Sequence, residues 1–290
     1  MRIVYYTSGI SGAGRLIFGI SIGNALIRRG VRCAYTMLHT SPFAHLADDF
    51  HHIKIPLETE TELSPERYRA SILFKTLKKL KPDVLLVNHQ WFMTYHFINE
   101  LSCKKIYLSD DANEEHFNIK FNDHSMKFNS SQFDSVIAIE PFSCSIPMSR
   151  INPLIIRNHD EIFSREQSLQ RIGLSGDKKI AFYGFSGHHG DFERHMEKYS
   201  FLKSDGYEVV MSSLYGENLF PAVDYYNAFD LVICGGGYNQ VWETVYFQKK
   251  AIFETTSLQF SDQADRIRAS QNFSFTENGA DQLVDIILNL

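Results

Sequence analysis

Three glycine-rich loops carry most of the chemistry that this sequence suggests. They cover residues 8–15, 184–190 and 235–239, and each follows a run of apolar residues and precedes a helical pattern. Glycine lets a loop adopt positive φ, and it lets a ligand approach the backbone amides closely. A helix that begins at such a loop directs N–H groups and the positive end of its dipole toward a bound anion. Together the loops predict a site for phosphate groups at the ends of strands.

The first loop belongs to neither of the common nucleotide-binding motifs. Gly12 and Gly14 are not followed by a glycine three residues on, and no acidic residue ends the second predicted strand, as a dinucleotide site requires. The lysine of a P-loop is also missing. Arg15, the next residue, can instead hold a diphosphate through two parallel hydrogen bonds.

The third loop is the most specific, because a carboxylate follows its glycines at helical spacing. Asn239 and Glu243 are four residues apart and therefore share a face of the helix that follows the loop. A carboxylate can accept two hydrogen bonds from a vicinal diol such as that of ribose. A solvated surface glutamate is the alternative interpretation of Glu243. The candidate binding residues of this segment are Gly235, Gly236, Gly237, Tyr238, Asn239 and Glu243.

Short apolar runs predict the strands that position these loops. The runs cover residues 2–6, 32–37, 83–88, 105–109, 135–139, 179–184, 207–213, 230–234 and 250–254. Nearly continuous apolar runs are typical of parallel strands that are covered on both faces. Helical patterns separate them, among them residues 16–27, which Gly30 ends, and residues 65–80. This alternation predicts an α/β protein with doubly wound parallel sheets.

The same alternation starts again after residue 153, which indicates two domains. The polar segment 157–164 is the best linker candidate, so we place the domains at residues 1–156 and 157–290. Doubly wound folds bind their ligands at the carboxyl ends of the strands. We therefore expect two Rossmann-like domains that face a shared cleft.

The composition argues against several other classes of protein. The 290 residues carry a formal net charge of -5, which argues against a dominant role in binding nucleic acid. No apolar stretch reaches the ~18 residues of a membrane span, and no leader precedes the first strand. The four cysteines stand far apart, as is typical of reduced thiols in a cytoplasmic protein. The histidine pairs 51–52 and 188–189 lack partners at zinc-like spacing, so we expect no metal site.

Most of the chain resembles nucleotide-sugar enzymes of the GT-B architecture. Family 28 glycosyltransferases, such as the lipid II N-acetylglucosaminyltransferase, are the main likeness, and the UDP-sugar hydrolase of pseudaminic acid synthesis is also similar. The similar segments are the interdomain segment 151–157, the helix 169–174, the phosphate-facing loop 181–187, the donor segment 230–237 with Glu243, and the glutamine-bearing turn 261–264.

This resemblance implies how a nucleotide sugar is held in the second domain. Glu243 would bind the ribose, and the amides of residues 235–239 together with Ser186 and Gly187 would bind the diphosphate. Gln263 would contact the donor sugar, and His188 would line the same pocket. The first domain would bind the acceptor and present residues 12–15 to the anomeric carbon.

The activity that the resemblance implies is inverting transfer of a sugar from a UDP-linked donor to a hydroxyl acceptor. An Asp-x-Asp motif is absent from the sequence, so we expect neither a metal nor a cofactor, and a helix N-terminus would offset the charge of the leaving diphosphate. Hydrolysis of the donor and binding without catalysis stay open as alternatives. The sequence does not identify the acceptor. The resemblance is compatible with a glycan or a lipid carrier, and a lipid carrier would bring peripheral contact with a membrane.

The resemblance does not locate the catalytic base. Both kinds of relative have a histidine where this sequence has Arg15, and a guanidinium stays protonated and cannot act as a base. Asp110 and Asp111 follow a predicted strand, where adjacent carboxylates can raise a pKa, although a helix N-cap is their alternative role. His89, at the end of another strand, is the second candidate base, and a hydrogen-bonded structural histidine is its alternative. We expect Arg15 to stabilise the leaving diphosphate.

Overall fold

Two parallel sheets divide the chain into two units. The computed structural model describes residues 1–9, 12–110, 114–121, 124–185, 189–213, 219–255 and 262–290. The first unit consists of Met1–Pro153 together with Gly279–Leu290, and the second consists of Leu154–Asn278. The predicted α/β class, with one parallel sheet in each half of the chain, is confirmed.

The first unit is built on a seven-stranded sheet. The strands of this unit are β1 (Arg2–Thr7), β2 (Ala34–His39), β3 (His52–Lys54), β4 (Val84–Asn88), β5 (Lys104–Ser109), β6 (Asn118–Phe121), β7 (His124–Lys127), β8 (Ser135–Ala138) and β9 (Ser149–Arg150). The sheet has the order β3-β2-β1-β4-β5-β8-β9, with every neighbouring pair parallel. β6 and β7 form a separate antiparallel pair. The helices α1 (Gly14–Arg28) and α2 (Ile72–Leu80) connect strands of the sheet.

Helix α1 packs closely against the sheet because Gly19 has no side chain. A Cβ atom at this position would lie 2.7 Å from atoms of both Tyr5 and Met37. The hydroxyl of Tyr35 donates to the Gly19 carbonyl oxygen at 2.6 Å and holds the helix in place. The helix ends before Gly30, which adopts a φ of 65°, as the sequence predicted. This packing fixes the start of α1 beside the carboxyl end of β1.

Helix α2 is shorter than predicted, because its first turn is capped at Ser71. The sequence predicted a helix over residues 65–80, but the α-helix begins at Ile72. The Ser71 hydroxyl and the Glu58 carboxylate accept hydrogen bonds from N–H groups of the first turn, at distances between 2.7 and 3.1 Å. A cap of this kind sets the helix start more strongly than Pro65, with which the predicted range begins.

The second unit has a four-stranded parallel sheet with the same architecture. Its elements are α3 (Arg165–Ile172), β10 (Lys179–Phe185), α4 (His189–Lys198), β11 (Tyr207–Ser213), β12 (Leu231–Gly235), α5 (Tyr238–Tyr246), β13 (Ala251–Glu254) and α6 (Gln263–Ser270). The strand order is β11-β10-β12-β13. Nine of the strands in the two units match a predicted run, with bounds that agree to within two residues, whereas β3, β6, β7 and β9 were not predicted. In the part of the chain that the structure describes, no helix is long and apolar enough to span a membrane.

The last helix, α7 (Gly279–Leu288), belongs to the first unit and not to the second, where the sequence analysis placed it. Two acidic residues on α7 pair with two arginines at the end of α1. The Arg28–Asp281 pair has an N–O distance of 2.7 Å, and Arg29 pairs with Asp285. Gly279 donates its N–H to the Pro153 carbonyl oxygen at 3.0 Å. The division between the units therefore lies after Pro153, three residues before the expected boundary.

Candidate active site

Three of the predicted residues meet at one edge of the first sheet. The strands β1, β4 and β5 are parallel neighbours, so their carboxyl ends lie side by side. Asp110 follows β5, His89 follows β4, and Arg15 lies in the first turn of α1. One carboxylate oxygen of Asp110 lies 3.4 Å from Nδ1 of His89, and the other lies 3.6 Å from Nε of Arg15. The group therefore contains an acid, a base and a permanent cation in contact.

The Asp110 side chain is held in its charged form. Burial raises the pKa of this carboxyl, but the Arg15 guanidinium and the His89 imidazole outweigh burial and hold the pKa well below its usual range. The raised pKa that we considered for adjacent carboxylates is therefore wrong for Asp110, and Asp111 lies outside the described residues. A carboxylate with so low a pKa is a poor proton acceptor.

Asn88 is a member of this group that the sequence analysis missed. It is fully buried at the end of β4, and its amide group donates to the Leu108 carbonyl oxygen at 3.1 Å and to Asp110 at 3.3 Å. Its amide oxygen lies 3.2 Å from the Tyr5 hydroxyl, which lies 2.6 Å from the Arg15 carbonyl oxygen. These contacts connect the start of α1 to β4 and β5. A polar amide at the end of a continuous apolar run was the available signal in the sequence.

The first glycine loop opens beside this group. A Cβ atom at Gly12 would have no heavy-atom neighbour within 4 Å. Ala13 occupies the N-cap position of α1 and makes no side-chain cap, and the first turn, which begins at Gly14, has no acidic residue. A helix start of this kind favours a negatively charged group. The local chemistry is therefore compatible with the predicted anion contact.

In the second unit, the ends of β10 and β12 are joined by one side chain. The amide nitrogen of Gln240 donates to the Gly184 carbonyl oxygen at 3.0 Å, and its amide oxygen would lie 3.2 Å from a Cβ atom at Gly235. The ends of β10 and β12, at Gly184 and Gly235, are thus neighbours in this unit. The remaining residues assigned to the second loop, Ser186, Gly187 and His188, lie outside the described residues.

Close packing requires glycine at position 236 of the triglycine. Gly235, Gly236 and Gly237 do not use the positive φ that glycine allows, because their backbone lies outside that region. A Cβ atom at Gly236 would lie 2.9 Å from Cβ of Gln263 on α6. The Arg266 side chain, also on α6, donates to the Gly236 carbonyl oxygen at 3.0 Å. The structure therefore places Gln263 directly against the triglycine, while Arg266 is a contact that the sequence analysis missed.

Tyr238 and Asn239 lie in the first turn of α5, which begins after Gly237. The Tyr238 hydroxyl accepts a hydrogen bond from the backbone N–H of Leu154 at 2.8 Å. The Tyr238 side chain is mostly buried and holds Leu154, the first residue of the second unit. Only the backbone of Tyr238 is therefore suitably placed for a ligand at the loop. Asn239 is half-buried on the same turn.

Glu243 is buried, so the alternative of a solvated surface glutamate is wrong. The residue is 9% exposed. Burial raises the pKa of its carboxyl to about 8, and the negative charge of Asp224 contributes in the same direction. Asp224 is itself paired with Arg157 at 3.0 Å. A buried carboxyl with a raised pKa, one turn after a glycine loop, is a candidate for binding a polar ligand at that loop.

Comparison with known proteins gives matches for the fold but none for the sequence. None of the known protein-family models matches the sequence, and neither does any curated protein. Solved structures do match. The glycosyltransferase SsfS6 of Streptomyces sp. SF2575, complexed with thymidine diphosphate, has a TM-score of 0.62 and 11% identity, and the match covers 100% of each chain.

Two further structures give the same result. The spinosyn forosaminyltransferase SpnP has a TM-score of 0.63 and 10% identity, over 99% of this chain and 90% of its own. MurG of Acinetobacter baumannii has a TM-score of 0.53 and 14% identity, over 99% and 91%. These glycosyltransferases consist of two Rossmann-like domains. The chain has the GT-B fold. At such low identities, this similarity shows the fold alone.

The histidine pair of the first GT-B unit has local partners. Nδ1 of His51 lies 3.0 Å from the Thr36 hydroxyl, and Nδ1 of His52 lies 3.2 Å from Nε2 of His39 on β2. The two rings therefore point to different neighbours, as expected for adjacent residues. Across the described ranges, no three histidine, cysteine, aspartate or glutamate side chains are grouped so as to hold a metal ion.

The buried Glu243 carboxyl makes the stability of the protein depend on pH. Its pKa is about 8 in the folded chain and 4.5 in its ordinary state, so the folded chain binds this proton more tightly. We expect its contribution to the free energy of unfolding to decrease as pH rises from about 4.5 to 8, because the unfolded chain then loses the proton first. Denaturation of the wild-type protein and of Glu243→Gln at several pH values should show a smaller decrease in the free energy of unfolding with rising pH in the variant. Identical pH profiles for the two proteins would contradict the burial of an acidic group.

Proposed function

We propose that this protein transfers a sugar from a nucleotide-diphosphate sugar to a hydroxyl acceptor, with inversion at the anomeric carbon. The observation that carries the proposal is in the second unit, where α5 begins at the triglycine with Gln263 packed against it and Glu243 buried one turn later. The likeness of segment 230–237 to family 28 glycosyltransferases supports the same assignment. So does the similar fold of SsfS6, which was solved with thymidine diphosphate.

We assign binding of the donor to the second unit. The N–H groups at the start of α5 and the positive end of its dipole offset the charge of the diphosphate, which is the role that a metal ion has in enzymes with an Asp-x-Asp motif. Gln263 contacts the donor sugar, and Glu243 binds both hydroxyls of the ribose. A carboxyl that hydrogen-bonds to both hydroxyls of a vicinal diol favours a uridine donor, because thymidine lacks the 2′-hydroxyl.

We assign proton transfer to the first unit. The acceptor oxygen attacks the anomeric carbon, and the bond from that carbon to the diphosphate oxygen breaks with its electron pair leaving on the diphosphate. His89 takes the proton of the acceptor hydroxyl, and the Asp110 carboxylate stabilises the imidazolium that results. This pair supplies the base that Arg15 cannot provide.

The assay that tests this function compares donor turnover with and without acceptors. Purified protein is incubated with UDP-linked and TDP-linked sugars and a panel of glycan and lipid-carrier acceptors, and both nucleotide and free sugar are measured. Nucleotide release that depends on an acceptor, with the sugar recovered on it, is the expected result. Release of free sugar at a rate that acceptors do not change would identify a hydrolase, and tight binding without turnover would identify a binding protein.

Replacing Arg15 with alanine should lower turnover more than donor affinity. Its guanidinium lies at the start of α1 and faces the carboxylate of Asp110, so its loss removes a positive charge that the reaction uses as the diphosphate leaves. We expect kcat to decrease by about 10- to 100-fold, with a smaller change in the dissociation constant of the donor.

The matched control for Arg15→Ala is Arg32→Ala, which removes an exposed arginine of the same unit. Kinetics and calorimetry on both variants separate the two effects. Equal proportional losses in kcat and in affinity for Arg15→Ala would show that Arg15 contributes to ground-state binding instead.

A further inference from the structure

The His116 ring lies against the ring of His89. It belongs to a short 3₁₀ helix, Glu114–Phe117, that the sequence analysis did not connect with the site. The two ring centroids are 4.1 Å apart and the planes differ by 26°, which is a stacked arrangement. The indole N–H of Trp91 donates to the His116 carbonyl oxygen at 2.9 Å and fixes the backbone of this turn. His116 is thus held beside the candidate base by contacts on both its ring and its backbone.

The carbonyl oxygen of His89 accepts two side-chain hydrogen bonds. Nε2 of His116 donates to it at 2.8 Å, and the Tyr107 hydroxyl donates to it at 2.9 Å. A carbonyl oxygen has no proton to give, so the Nε2 atom of His116 must carry one in this contact. The peptide group that follows His89 is therefore held from two sides.

These two bonds add to backbone hydrogen bonds at the same residue. The His89 carbonyl oxygen also accepts from the N–H of Trp91 at 2.9 Å, and the His89 N–H donates to the Leu108 carbonyl oxygen at 3.2 Å. His89 has a φ of 63°, in the left-handed region that side chains other than glycine rarely adopt. Such a conformation persists only where the surroundings fix it. It is also the conformation that directs the imidazole toward Asp110, with Nδ1 of His89 at 3.4 Å from the carboxylate.

We propose that His116 is a positioning residue, which holds the His89 peptide in its left-handed conformation and so keeps the imidazole against the Asp110 carboxylate. This inference rests on the proposed function insofar as His89 is the base of the reaction. His116 contacts the ring and the carbonyl oxygen of His89, so the positioning role assigned to it acts through His89. The titratable and charged groups around His89 are Asp110 and His116, which face its ring, Arg15 across the Asp110 carboxylate, and Tyr107, which contacts its carbonyl oxygen.

The test compares three variants of the full chain. His116→Phe keeps a stacked ring and removes the hydrogen bond, His116→Gln restores a donor, and His45→Phe changes an exposed histidine on another 3₁₀ helix of the same unit. We expect His116→Phe to lower kcat by roughly tenfold or more with an unchanged KM for the donor. His116→Gln should recover most of the loss, and His45→Phe should behave as the wild-type protein.

A second readout does not depend on activity. NMR titration of the His89 imidazole should give a pKa in His116→Phe that moves away from the wild-type value, because the ring no longer stays beside Asp110, and His116→Gln should return it. If His116→Phe does not fold, as judged by circular dichroism, Tyr107→Phe removes the other hydrogen bond to the same oxygen and should give the same changes.

The outcomes separate this inference from the proposed function. An unchanged pKa of His89 in His116→Phe, or a kcat equal to that of His45→Phe while His89→Gln is impaired, would overturn the positioning role and leave the base assignment intact. If His89→Gln retains full activity, the base assignment fails. In that case a changed pKa of His89 in His116→Phe would still support the positioning role, and an unchanged pKa would overturn it.

Discussion

Replacing His89 with glutamine will lower the rate of sugar transfer by about 10²–10⁴-fold, which is the range that a general base contributes. Glutamine approximates the size of the imidazole and can hydrogen-bond to Asp110, but it cannot accept the proton of the acceptor hydroxyl. Donor affinity should stay nearly unchanged, because the donor contacts are assigned to the second unit. Steady-state kinetics for transfer and calorimetry for the donor measure the two quantities separately.

The control for this variant is His45→Gln, which changes an exposed histidine outside the site. Asp110→Asn should also reduce transfer, because the neutral amide no longer stabilises the imidazolium that forms on His89. Transfer by His89→Gln at the wild-type rate would show that the proton goes elsewhere. A loss of donor affinity in proportion to the loss of rate would show that His89 acts through binding.

Replacing Glu243 with alanine will weaken binding of UDP by about 1–3 kcal/mol, the free energy of hydrogen bonds from a buried carboxyl to the ribose. Binding of TDP should change much less, because its deoxyribose lacks the 2′-hydroxyl of the vicinal diol. Calorimetry with both nucleotides on both proteins gives the coupling between Glu243 and that hydroxyl directly.

Glu197→Ala is the matched control, since Glu197 is an exposed glutamate of the same unit. Equal losses for UDP and TDP would assign Glu243 to the general packing of the loop. Unchanged affinity for both nucleotides would remove Glu243 from the nucleotide site and with it the preference for uridine.

The strands could be predicted from local patterns, because buried parallel strands require nearly continuous apolar residues. The runs 2–6 and 207–213, for example, match β1 and β11 closely. Helix bounds were less accurate where a residue distant in sequence provides the cap. Glu58 accepts the first N–H groups of α2, 14 residues away or more, and no local pattern around residue 72 contains that information. The placement of α7 likewise depends on distant residues, because its partners Arg28 and Arg29 lie near the other end of the sequence.

For the candidate site, too, the sequence identified individual residues but not the contacts between them. Sequence motifs found Arg15, His89 and Asp110 as separate possibilities, because each stands at the end of a strand or at the start of a helix. They did not show that the three are in contact, nor that Arg15 and His89 hold the pKa of Asp110 low, which makes that carboxylate a poor proton acceptor. His116 had no signal at all, since it lies in a short 3₁₀ helix without a motif.

The sequence by itself determined the α/β class, the two parallel sheets and the glycine loops at their strand ends, because these depend on residues that are close together in the chain. Only the tertiary structure decided which polar residues meet, how Gly236 packs against α6, and that Glu243 is buried. The physical reason is that burial and charge pairing are properties of neighbours in space. Residues 15, 89 and 110 become such neighbours only when β1, β4 and β5 align in one sheet.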